Sequence, residues 1–204
     1  MPERVFVTGY GLISCIGNNV EENFDSLMRC RPGTGKLRHI DTILRDELLV
    51  GEVPATLEEL AALVGVGTEA CYSRNALLGI IAAKEACLHA HLDTKRPLRT
   101  GLISATTVGG MDRSELYYND FLTNDSRNGC ISSYDCADST EKIANLLGIS
   151  DFVTTISTAC SSAANAILMG ARMIRAGRLD RVVAGGCESL TKFHLLGFNA
   201  LKIL

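Results

Sequence analysis

Phe152-Val153-Thr154-Thr155-Ile156-Ser157-Thr158-Ala159-Cys160-Ser161-Ser162-Ala163-Ala164-Asn165-Ala166 is the stretch on which the reading of this chain turns. Phe152–Ser157 is apolar and β-branched, as a buried strand requires. A helix is predicted from Ser161 to Ala176, with Gly177 just past its end. Cys160 falls in the turn between them. The first amides of a helix have no intrahelical acceptor, and the helix dipole is positive there. A thiol so placed is favoured as the thiolate, the form that attacks carbonyl carbon. The same amides can hold the oxyanion that such an attack creates. The competing reading is a structural cysteine buried ahead of a tightly packed helix. That helix carries Ser161, Ser162, Ala163, Ala164, Ala166, Gly170 and Ala171, and so little bulk suits burial with backbone close on several sides.

Outward from this stretch, strands and helices alternate. Arg181–Gly186 is a further strand, apolar at its centre. On the other side, Gly101–Thr106 is a strand followed by Gly109-Gly110, Met111–Phe121 a helix, and Asn124–Ser133 a polar loop. Asp138 with Glu141 three residues later reads as a capping box, opening a helix that Gly148 closes. Ser73 caps a helix from Arg74 to His91. Val5–Thr8 is a short strand closed by Gly9 and Gly11, and Asn18 or Asn19 caps a helix reaching Met28. Cys30–Thr68 is irregular, broken by Pro32, Gly33, Gly35 and Pro54, with a short acidic helix near Thr56–Leu63. Strands separated by helices imply βαβ units and a mostly parallel sheet, an α/β fold. The apolar runs do not alternate, so both sheet faces should be covered. With no linker or repeat, residues 1–204 read as one domain.

Composition excludes several classes. The net charge is −3 with no basic run, which disfavours nucleic acid as a partner. No uncharged apolar stretch reaches the roughly 18 residues of a membrane span. Met1-Pro2-Glu3-Arg4 leads into a predicted strand rather than a signal peptide, so a cytoplasmic protein is expected. The eight cysteines include no Cys-x-x-Cys pair, so reduced thiols are expected. Cys87 and His91 share a helix face, but no third or fourth ligand lies near; neither metal nor cofactor is expected. Gly9-x-Gly11 after a strand suggests a dinucleotide fingerprint, but position 14 is Ser14, and no acidic residue ends a second strand at the required distance.

Thr158-Ala159-Cys160-Ser161-Ser162 with Ala164-Asn165-Ala166-Ile167 resembles the nucleophile motif of the β-ketoacyl-(acyl carrier protein) synthase family. The resemblance runs the length of the chain. It takes in Val5–Ser14 with Ile16-Gly17, Thr100–Ile103 with Val108–Met111, Ala171–Gly177 with Val182–Glu188, and Gly197–Leu201, the last resembling a loop beside the acyl pocket. It implies one half of a thiolase-like αβαβα fold, with a buried helix following the nucleophile. It implies that Cys160 accepts an acyl group from a carrier-protein thioester and that the carbanion of a decarboxylated malonyl thioester then attacks it. By position, Val108 matches a gate of the acyl tunnel, Phe198 a gating phenylalanine, and Lys202 a basic contact to acyl carrier protein. A homodimer or a heterodimer of synthase subunits is implied too.

His39, His89, His91 and His194 match neither of the family's catalytic histidines. The isolated chain is therefore expected to lack condensing activity. Three departures bear on chain length and docking: Gly65–Tyr72 replaces a basic stretch, Asn75 stands where an acidic residue is common, and Ile131–Cys136 is atypical. Fatty-acid synthesis and a polyketide or aryl-polyene pathway both stay open. So do two other readings: a non-catalytic partner of the chain-length-factor kind, which usually lacks the cysteine, and a coenzyme A-dependent condenser related to thiolase or chalcone synthase. Gly185–Glu188 and Gly197–Ala200 favour the carrier-protein group.

Overall fold

The computed structural model describes residues 4–93 and 97–204. Local capping chemistry sets most helix starts. The Asn19 side chain accepts the Glu22 amide at 2.8 Å and opens α1 (Val20–Met28). Two short strands, β1 (Gly35–Lys36) and β2 (Leu49–Val50), pair antiparallel. A reciprocal capping box between Thr56 and Glu59 opens α2 (Leu57–Val64). Ser73 Oγ accepts the Ala76 amide at 3.1 Å and opens α3 (Arg74–His89).

The main sheet starts with β3 (Thr100–Ala105), followed by α4 (Met111–Thr123), the single-turn α5 (Asn128–Ile131) and α6 (Cys136–Leu147). Then come β4 (Phe152–Ile156), α7 (Ser162–Arg175), β5 (Arg181–Ala184) and α8 (Lys192–Ala200). The strand order is β4-β3-β5, parallel throughout, with Leu102 opposite Val153 on one side and Val183 on the other. Every residue of the central strand β3 is buried. Leu102 joins Leu77, Leu78, Ile80, Ile143 and Ala144 in a core shared with α2, α3 and α6. Ile103 and Ala105 point the other way, onto Ala166 of α7. The alternation of side chains along β3 thus builds a helix–sheet–helix sandwich, the α/β parallel architecture predicted. Leu77 is 0% exposed at its centre. Leu77→Ala should cost about 3 kcal/mol and lower the melting temperature by roughly 6–12 °C in a thermal unfolding scan; an unchanged midpoint would contradict this core.

Four expectations are corrected. Val5–Thr8 is no strand: among the described residues it pairs with none, and Phe6 and Val7 are 72% and 84% exposed. Strand propensity does not supply a neighbour for the ladder, and this segment instead leads into Gly9–Leu12, which lies against α3. The Tyr10 amide donates to His89 Nδ1 at 3.4 Å and the Leu12 amide to Glu85 Oε2 at 2.8 Å. Asn124–Ser133 is not all loop, since it contains α5 and a following 3-10 turn. The cap of α6 is Asp135, whose carboxylate accepts the Ala137 amide at 2.9 Å; Asp138 instead pairs with Lys142 at 2.8 Å, one turn on. The eight cysteines are not all free thiols, because Cys71 and Cys130 are joined as a disulfide with Cα atoms 4.9 Å apart.

Burial of the helix after Cys160 is one-sided within this chain. Ser162, Ala166 and Gly170 of α7 are buried, while Ile167 and Leu168 on the opposite side are 56% and 44% exposed. No described helix is long and apolar enough to cross a membrane.

Candidate active site

The loops leaving the C-terminal ends of β4, β3 and β5 lie at one end of the parallel sheet, the end where open α/β sheets bind ligands. The first carries Cys160, in a 3-10 turn over Ala159–Ser161 that runs directly into α7. The thiol is free and exposed. Neither the turn nor α7 has a side-chain cap; the Ser161 amide is taken by the Thr158 carbonyl and the Ser162 amide by the Ala159 carbonyl.

The turn is held by its own side chains. The Thr158 amide donates to Ser162 Oγ at 2.7 Å, and that hydroxyl donates to the Ala159 carbonyl at 2.7 Å. Ser161 Oγ donates to the Thr158 carbonyl at 2.8 Å, and Asn165 Nδ2 reaches Thr158 Oγ1 at 2.9 Å. Ala159 sits at φ 52°, in the left-handed region that L residues avoid at a cost of about 1 kcal/mol. This strained residue stands next to the exposed cysteine, and the surrounding hydroxyl bonds sustain it. The quoted motif contains all of these residues, but only the geometry shows that Thr158, Ser162 and Asn165 brace the turn.

Three other free thiols are less exposed than Cys160. The Cys187 sulfur lies between Gly79 and Ser104, and burial, with Glu188 adjacent, pushes its thiol up to about 12. Burial also raises Cys136, whose Sγ approaches the Thr107 carbonyl at 3.6 Å, and Cys87. Cys136, Cys187 and Cys87 therefore stay protonated at neutral pH.

The β3 loop carries Val108, which is half-buried. Its start is fixed by a network the sequence did not disclose. Glu188 accepts the Thr106 hydroxyl at 3.0 Å and the Thr107 amide at 2.6 Å. Thr106 Oγ1 in turn accepts Asn75 Nδ2 at 3.0 Å and the Gly109 amide at 3.2 Å. Asn75, one of the departures from the family pattern, is thus fully buried, with its Oδ1 unpartnered. Phe198, expected on a loop, lies in α8, 6.2 Å from the His194 ring. Thr191 caps that helix, and Glu115 accepts the Lys192 and Phe193 amides at 3.1 and 2.7 Å. Lys202 follows α8, exposed and at φ 59°. The structure thus brings the Val108 and Cys160 loops to one end of the sheet and places Phe198 and Lys202 on and just beyond a separate helix. His39 binds the Pro54 carbonyl at 2.8 Å and His194 binds Thr191 Oγ1 at 2.9 Å, so these two imidazoles, like His89, have structural partners. Among the described residues, no group of three or more His, Cys, Asp or Glu is placed to hold a metal.

Residues 2–204 match the family described as β-ketoacyl synthase, N-terminal domain. The chain belongs to that family. It is 26% identical to 3-oxoacyl-[acyl-carrier-protein] synthase 2 of Staphylococcus aureus strain COL, over 99% of this chain and 50% of that protein. It superposes on the ishigamide ketosynthase/chain length factor with a TM-score of 0.83 and 24% identity, covering 96% of this chain and 50% of the other. The AntDE:AntF assembly, described as a type II polyketide synthase acyl carrier protein in complex with its ketosynthase, gives a TM-score of 0.72 at 24% identity, over 98% and 49%. The chain spans about half the length of the curated relatives it matches. The family assignment removes the dinucleotide reading of Gly9-x-Gly11.

Proposed function

We propose that this chain is the nucleophile-bearing half of a decarboxylative condensing enzyme. The Cys160 thiolate attacks the carbonyl of an acyl thioester, the carrier thiol leaves, and an acyl-cysteine remains. A malonyl thioester then loses CO2, and its carbanion displaces the cysteine sulfur to give a 3-oxoacyl thioester. The observation that carries this reading is the exposed thiol on a braced turn at an uncapped helix start. A chain-length-factor-like partner would have no use for it. The curated relatives are named as acyl-carrier-protein synthases, which supports carrier protein as the acyl donor. Val108 and Phe198 would border the acyl chain and Lys202 would meet the carrier protein, in a cytoplasmic enzyme that pairs with a second synthase subunit. On this reading residues 1–204 act as one domain and catalyse no complete condensation alone.

The test is alkylation by a limiting amount of iodoacetamide, followed by peptide mass spectrometry. Cys30 is also free and exposed, so it reports accessibility alone. Cys160 should react about tenfold faster than Cys30, and Cys187 least of all. Equal rates at Cys160 and Cys30 would remove the activated nucleophile and the proposal with it.

A further inference from the structure

We infer that Cys71 and Cys130 form a reversible disulfide that fixes the Asn124–Tyr134 segment and, through it, the loop carrying Val108. Phe121–Gly129 is exposed at every residue, and the segment is anchored inward at Cys130 and Ser133, which are 2% and 0% exposed. Both anchors connect to something specific. Cys130 is bonded to Cys71, just ahead of α3, where Lys142 Nζ holds the Cys71 carbonyl at 3.1 Å and Arg113 holds the Tyr72 carbonyl at 2.8 Å. The Ser133 carbonyl accepts the Gly110 amide at 2.8 Å. The approach there is so close that a Cβ on Gly110 would stand 2.6 Å from Ser133 Oγ, and one on Gly109 2.7 Å from the Tyr134 carbonyl. The path from disulfide to Val108 is therefore short: Cys130, three residues to Ser133, then backbone to backbone onto the glycines that follow Val108.

Two features point to a reversible link. The other six cysteines are free, so the chain is not one held together by disulfides throughout. The pair also has unequal access, with Cys71 half-buried and Cys130 buried. A low-molecular-weight disulfide such as glutathione disulfide reaches Cys71 first. The Cys71 thiolate attacks one of its sulfurs, and the first glutathione thiol leaves. Cys130 loses its proton and attacks Cys71 Sγ in the mixed disulfide, so the protein S–S bond forms and the second glutathione thiol leaves. The protein pair gives up two electrons and the reagent gains them. Reduced glutathione reverses both steps.

The experiment equilibrates the 204-residue protein in glutathione buffers from fully reduced to fully oxidised, then quenches, denatures and alkylates it for mass spectrometry. Two fewer cysteines should be alkylated at the oxidised end, with a Cys71–Cys130 linked peptide, and all eight at the reduced end. Trypsin cleavage after the exposed Arg127 should be about tenfold faster in the reduced protein, because the segment then opens locally. Cys71→Ser should be cleaved at the reduced rate in every buffer; if that variant fails to fold, the wild-type titration decides alone. Eight alkylated cysteines at the oxidised end, a link that reduced glutathione cannot open, or cleavage indifferent to the link would each overturn the inference. Control over acyl-chain entry rests on the proposed function, but the pairing and the brace do not. None of these readouts needs turnover, and the native-state alkylation that tests Cys160 is a separate measurement, so the two readings fail independently.

Discussion

Cys160→Ala should abolish acyl transfer to the protein while leaving its stability unchanged. Incubated with an acyl-carrier-protein thioester, the wild-type chain should gain the mass of one acyl group, located by peptide sequencing at Cys160. The Ala variant should acylate at least about 10³-fold more slowly, since removal of a nucleophile leaves only binding and oxyanion stabilisation. The thiol is exposed, so stability should change by no more than the roughly 0.5 kcal/mol typical of surface changes, about 1–2 °C in melting temperature. The pairing of a large chemical loss with a negligible structural one separates a nucleophile from a buried structural cysteine, which would lose stability instead. Undiminished acyl mass on the variant would place the acceptor elsewhere. Cys187 is the poorest substitute, since it is half-buried with its sulfur against Gly79 and its thiol is pushed up to about 12.

Features that depend on neighbouring residues were legible in the sequence, and those that depend on distant ones were not. Asn19 and Ser73 cap as expected, because a cap bonds an amide two or three residues away. The strand–cysteine–helix order around Cys160 was equally local. Asp135 and Asp138 were both chemically able to cap α6. The choice fell to Asp135, which leaves Asp138 to pair with Lys142 while Ser139 and Thr140 turn inward. The helix over Lys192–Ala200 was not foreseen, since the family resemblance suggested a loop at Gly197–Leu201; Thr191 and the distant Glu115 satisfy its first amides. Cys71 and Cys130 are 59 residues apart, and no spacing rule could have joined them. Glu188 is still more remote from Thr106, 82 residues away, and its role as a clamp emerges only when β3 and β5 lie side by side.

The N-terminal glycines show the same dependence with the largest expected energetic consequence. Gly9-x-Gly11 follows an apolar run and invites a phosphate-binding reading, but what the backbone approaches is α3. A Cβ on Gly11 would fall on the Ala82 carbonyl oxygen and stand 2.7 Å from the Ala86 nitrogen; one on Gly9 would stand 2.6 Å from the Ala90 nitrogen. These are backbone atoms of a helix and its C-terminal cap, and they cannot turn aside as a flexible side chain would. Gly11→Ala must therefore push Gly9–Leu12 off the helix. That movement breaks the Leu12 amide's bond to Glu85 and loosens the same carboxylate's hold on the Val20 amide at 2.9 Å, at the start of α1. Overpacking of this kind costs about 1–3 kcal/mol, and the lost hydrogen bond to a charged acceptor adds about 1.5–3 kcal/mol. A total near 4 kcal/mol corresponds to a fall in melting temperature of roughly 8–16 °C. Glu85→Ala removes the hydrogen bonds without the clash and should cost about 2 kcal/mol, so the difference between the two variants isolates the steric part. If Gly11→Ala melts with the wild type, Gly9–Leu12 does not lie against α3, and close backbone approach is not why glycine occupies these two positions.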